Sequence, residues 1–89
     1  MSERSKSLST SEVRNWLMAY VAQLLSMPKE DVDCSFPFQQ YGLDSSAAVG
    51  LSGDLGELLQ HDFQISLAYE HPTIDAIVDH LVSSNLVEP

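Results

Sequence analysis

The chain has 89 residues, 44% of them hydrophobic, with thirteen Asp and Glu against four Lys and Arg and a formal net charge of -9. A chain this short makes one domain and buries only about 60–65% of the surface its unfolded form exposes, which suits a compact helical unit and argues against an autonomous catalyst with a deep cleft. All the basic residues (Arg4, Lys6, Arg14 and Lys29) precede position 30, so the remainder is an acidic field that repels nucleic acid phosphates and anionic lipid and attracts basic protein surfaces.

No stretch approaches the roughly 18–20 apolar residues that span a bilayer. The polar residues 1–7 lack the apolar segment of a secretory signal. A single cysteine, Cys34, cannot make an intrachain disulfide, so a cytoplasmic location is expected. Asp31 and Asp33 flank it with negative charge that disfavours a thiolate, which leaves a surface or packing role.

Residues 1–8 are polar, Ser-rich and without period, and are expected to form a tail or linker ahead of a domain at 9–84. Ser9 followed three positions later by Glu12 has the pattern of a capping box. From there Val13, Trp16, Leu17, Tyr20, Val21, Leu24 and Leu25 recur at helical spacing, so one apolar face is expected, with the two aromatics in the core. Pro28 closes this helix. The segment up to Asp44 has no sustained period, and Pro37 forbids a long helix within it. Val32, Phe36, Phe38, Tyr41 and Leu43 are expected to pin it down. Asp31-Val32-Asp33 lacks the glycine and terminal glutamate of a calcium loop, so no metal site is expected.

A second helix is expected from Ser45 to about Gln60, with Asp44 as its N-cap. Ala48, Leu51, Leu55, Leu58 and Leu59 mark its buried face, and Ser46, Val49, Gly50, Gly53 and Glu57 fall on faces expected to be exposed. Ser66 to Glu70 suggests one short helix. Thr73 then caps a last helix with Ile74, Ile77, Val78, Leu81 and Val82 inward, and a tail is expected over 85–89. The sum is an all-α fold, a small antiparallel four-helix bundle with three long helices and one short.

Within this frame Gly42-Leu43-Asp44-Ser45 stands where irregular chain gives way to helix. A serine at a helix's first turn has its hydroxyl at the surface beside unpaired backbone N–H groups, a setting that accepts a phosphate joined to its oxygen. Ser45, three histidines and many aspartates do not make a hydrolase, because the strand-to-helix elbow of G-x-S-x-G and a second shell to orient a base are both missing. His61, His71 and His80 lack the spacing of a zinc site.

The tetrad resembles the G-x-D-S motif of acyl carrier proteins, and the resemblance extends through Val13-Arg14-Asn15-Trp16-Leu17, Pro37-Phe38, Leu51-Ser52-Gly53-Asp54-Leu55 and Tyr69-Glu70-His71-Pro72-Thr73-Ile74 to carrier domains of polyketide synthases. It implies an acyl-carrier-like bundle with no catalytic residues, in which Ser45 bears a covalent 4'-phosphopantetheine arm and Asp44 adjoins it. The arm would hold acyl groups as thioesters for polyketide or hybrid polyketide and nonribosomal peptide biosynthesis. The implied partners are a phosphopantetheinyl transferase, an acyl-loading enzyme such as a fatty acyl-AMP ligase or acyltransferase, and a ketosynthase, contacted by a monomer through Leu43, Ser46, Val49, Gly50, Gly53, Asp54 and Glu57. Two departures affect that surface: Ser46 stands where a large aliphatic residue is common, and Gly50 where an acid is usual. A peptidyl carrier domain of a nonribosomal peptide synthetase and an unmodified acidic helical interaction module remain the alternatives.

Overall fold

The computed structural model describes residues 8–88. Four α-helices occupy that span: α1 (Thr10–Leu25), α2 (Ser45–Leu59), α3 (Leu67–Glu70) and α4 (Ile74–Ser83), with 3-10 turns at Lys29–Asp31 and Phe38–Tyr41. The all-α architecture of three long helices and one short is the expected one. The tail expected over 1–8 lies outside the described residues except for Leu8, which packs against the core.

Each long helix starts on a side-chain cap. At α1 the Glu12 N–H donates to Ser9 Oγ at 3.2 Å and the Ser9 N–H donates to Glu12 Oε1 at 2.9 Å, completing the capping box. Thr73 Oγ1 accepts from the Ala76 N–H at 3.0 Å at the start of α4. Helix α1 ends because Ser26 turns left-handed at φ 54 while Met27, preceding Pro28, is steered away from helical ψ.

The largest fully buried side chains are Val13, Leu17 and Val21 of α1, Leu55 of α2, and Ile74, Ile77, Val78 and Leu81 of α4. Helix α1 packs on α4, and α2 on α3. Burying a side chain of this size stabilises by about 1.5–3 kcal/mol before chain entropy is offset, so these eight residues carry the fold. The Arg14 guanidinium pairs with Asp75 at the first turn of α4, which reinforces its positive charge.

The segment 27–44 is pinned as expected, with one exception. Val32 and Phe38 are buried, but Phe36 lies at the surface, edge-on to Tyr41 with ring centroids 4.8 Å apart. Both 3-10 turns follow a proline, whose fixed φ starts the turn and whose missing N–H goes unneeded there. Main-chain bonds then tie the loop to the start of α4 and the residues just before it: Phe38 N–H to the Pro72 carbonyl at 2.8 Å and Asp75 N–H to the Cys34 carbonyl at 2.9 Å. Asp33 accepts from both the backbone N–H and the hydroxyl of Ser35, which holds its carboxyl below the usual range.

Four other expectations change. Trp16 and Tyr20 are only half-buried: they pack against the core with rings tilted by 31° and centroids 5.1 Å apart, and they line an open groove with Lys29. Leu24, expected on the buried stripe, is exposed and lines a cleft on the surface of the bundle. Gly50, expected on an exposed face, is half-buried beneath the Tyr20 hydroxyl. Residues 85–88, expected as a tail, are fastened: Val87 is buried, Thr10 N–H donates to the Glu88 carbonyl at 2.8 Å, and Glu88 N–H donates to the Leu8 carbonyl at 2.9 Å.

Candidate functional site

The site is built by a sequence of local conformations. After the Phe38–Tyr41 turn, Gly42 takes φ 91, a left-handed value that a side chain would strain. That reversal lets Leu43 N–H return to the Phe38 carbonyl at 3.3 Å and delivers Asp44 in extended conformation as the N-cap of α2. Asp44 Oδ1 accepts from the Ala47 N–H at 2.9 Å. The helical ladder offers no acceptor to the N–H groups of Ser45 and Ser46, which lie at the positive end of α2.

Ser45, the first residue of α2, is exposed. Tyr69 reaches it from α3: its phenol donates to Ser45 Oγ at 3.1 Å. Helix α3 buries Leu67 and Ala68 and leaves the next residue, Tyr69, 52% exposed, so the phenol is free to cross to α2. Phe38 N–H, by holding the Pro72 carbonyl, keeps the turn before Ser45 in register with the chain that follows α3. A cleft beside the serine, lined by Leu24, Phe38, Leu43, Ala47, Leu51 and Tyr69 among others, has only about 20 Å³ of accessible space. That is room for about one water molecule.

Of the residues expected to meet partners, Ser46, Val49, Gly53 and Glu57 are exposed and follow one another at three- and four-residue intervals, which aligns them along one side of α2. Leu43 is half-buried at the mouth of the cleft. Gly50 faces Tyr20, and exposed Asp54 accepts from the Tyr20 hydroxyl at 2.6 Å. Burial first, then this bond to Asp54, pushes the Tyr20 phenol up to about 12. The two described basic residues are both elsewhere, Arg14 against Asp75 and Lys29 on the Trp16 groove.

The arrangement fits a phosphodiester on Ser45: an accessible oxygen, two N–H groups without ladder partners and a phenolic donor. Tyr69 was not singled out from sequence as a site residue, and nothing in its local pattern signals a contact 24 positions away. His71, in the same segment, stacks on His80 with ring centroids 4.2 Å apart.

Comparison with known proteins agrees with this geometry. Residues 15–81 match the family model described as phosphopantetheine attachment site, a site for covalently attached 4'-phosphopantetheine. The chain is 44% identical over 50 residues to the acyl carrier protein TtuC of Teredinibacter turnerae, covering 56% of this chain and 58% of that one. It is 38% identical over 74 residues to the polyketide synthase ThaQ of Burkholderia thailandensis, covering 83% of this chain but 4% of the synthase. A free-standing peptidyl carrier protein from an Acinetobacter baumannii secondary metabolic pathway superimposes with a TM-score of 0.80 at 31% identity, covering 86% of this chain and 96% of that one. The chain therefore belongs to the phosphopantetheine attachment site family and is a carrier domain homologous to the acyl carrier proteins of polyketide synthases.

Proposed function

We propose that Ser45 is the residue that takes the 4'-phosphopantetheine arm and that the domain carries acyl groups for a polyketide pathway. The observation that supports this most is the exposure of Ser45 at the first turn of α2 with Tyr69 bonded to its oxygen. Loading from coenzyme A forms a bond between Ser45 Oγ and phosphorus as the anhydride bond to the nucleotide breaks. The serine proton passes to a base on a separate transferase, and the nucleotide leaves as the bisphosphate. One oxygen of the Asp44 carboxylate accepts from the Ala47 N–H and caps the helix. The transferase supplies the base, and the domain acts as a non-catalytic carrier. Once attached, the arm supplies a terminal thiol that holds an acyl group as a thioester.

Asp44 holds the helix end that presents Ser45, while Leu43, Ser46, Val49, Gly53 and Glu57 form the surface around it. The partners are a phosphopantetheinyl transferase, an acyl-loading enzyme and a ketosynthase. A tether raises effective concentration at each of them, so weak docking suffices. No helix among the described residues is long and apolar enough to cross a membrane.

The structural likeness to a peptidyl carrier protein supports a second reading, loading by an aminoacyl-adenylating enzyme. Mass spectrometry of the protein from its native host separates the two. An arm bearing a polyketide-type acyl group is the result expected; an aminoacyl group selects the second reading, and a bare chain rejects both.

A further inference from the structure

Resting on the assignment of Ser45 as the attachment residue, we infer that the Tyr69 hydroxyl is the phosphate anchor of the arm, a positioning residue that holds the phosphodiester against α2 until a partner withdraws it. In the unmodified chain the phenol donates to Ser45 Oγ at 3.1 Å. Esterification turns that oxygen into a bridging ester atom, a poorer acceptor, and places anionic non-bridging oxygens next to the same donor. A neutral donor facing an anion makes a shorter and stronger bond than one facing a hydroxyl, so the contact passes from serine oxygen to phosphate.

The surroundings leave this duty to Tyr69. The Asp44 carboxylate, one oxygen of which caps Ala47, is a like charge close to the phosphate. Among the described residues no cation offsets it, because Arg14 is paired with Asp75 and Lys29 lies on the Trp16 groove. Backbone N–H groups at Ser45 and Ser46 supply donors from the helix side, and Tyr69 supplies one from across the cleft. Exposure of Tyr69 at 52% leaves the ring free to follow the phosphate and to release it. A single hydrogen bond biases the held over the free arm by about three- to tenfold, a hold that a docking partner overcomes.

The test compares wild-type protein with Tyr69→Phe, which keeps the ring and removes only the oxygen. Both are loaded from coenzyme A by a promiscuous transferase, checked by intact mass, and examined by phosphorus-31 NMR, with circular dichroism confirming helix content. The expected result is a wild-type phosphodiester resonance displaced from that of the unfolded holo chain, with Tyr69→Phe moved towards the unfolded position. Tyr69→His, which restores a donor, should recover part of the displacement. Superimposable resonances for folded wild type and Tyr69→Phe, with the mass gain present in both, overturn the anchor and leave the attachment assignment standing. Absence of the mass gain in the wild type removes the assignment and the anchor together.

Discussion

The Tyr20 hydroxyl of α1 donates to the Asp54 carboxylate of α2 at 2.6 Å, passing over Gly50, where an added Cβ would lie 3.3 Å from the phenol oxygen. One acid of the α2 surface is thereby engaged in joining two helices, and the missing side chain at position 50 is what lets the phenol through. The Tyr20 phenol, near 10 in an unfolded chain, is pushed up to about 12 in the fold. The protonated form is the bonded one, so this contribution is complete below pH 10 and is lost as pH rises towards 12. Tyr20→Phe should cost about 1 kcal/mol at pH 8 and should flatten the fall in stability between pH 10 and 12. Urea unfolding of both proteins across that range is the check.

Two glycines of α2 should respond in opposite directions to alanine. At Gly53 a Cβ meets nothing within 4 Å, so Gly53→Ala should gain about 0.5–1 kcal/mol from helix propensity. At Gly56 a Cβ would come to 2.6 Å from the His61 carbonyl oxygen, where the chain folds back after the left-handed Gln60. Gly56→Ala should therefore lose about 1–3 kcal/mol despite the better propensity. Thermal denaturation separates the two signs.

Val87 is 6% exposed and lies next to Glu88, whose backbone pairs with Leu8 and Thr10. Val87→Ala removes two buried carbon centres and should cost about 1.5 kcal/mol, lowering the melting temperature by about 5–10 °C. A change under 2 °C would show that the end of the chain is not held.

The resemblance to polyketide carrier domains implies a large aliphatic residue in place of Ser46 and an acid in place of Gly50, and introducing these should have different physical costs. Ser46→Leu lies on an exposed position and should change stability by less than about 0.5 kcal/mol. Gly50→Glu must displace the Tyr20 phenol and should lose the Asp54 bond with it. If the departures specialise the surface, Ser46→Leu should raise loading by a generic acyl-loading enzyme while leaving the cognate rate unchanged. Equal rates in both assays remove that explanation.

The capped helices were legible because their signals are local: Ser9 with Glu12, Asp44 beside Ser45, and Thr73 before an apolar run each state a boundary within four residues. The apolar stripes named most of the core for the same reason. Periodicity alone misplaced Leu24 and Trp16, since it orders residues around a helix axis but says nothing of where a neighbouring helix ends. The fastened C-terminal residues and the setting of Gly50 depend on long-range contacts that leave no short-range pattern. Within the candidate site, Asp44 and Ser45 were visible in a four-residue motif, whereas Tyr69 became a site residue only through the fold.

The central claim is that Ser45 Oγ, and not the hydroxyl of adjacent Ser46, bears the arm. Incubation of the purified chain with coenzyme A and a promiscuous transferase, followed by intact mass and fragment mapping, tests it directly. The expected result is one phosphopantetheine addition mapped to Ser45, retained in Ser46→Ala and abolished in Ser45→Ala. An addition that survives in Ser45→Ala, or none on the wild-type chain, would contradict it.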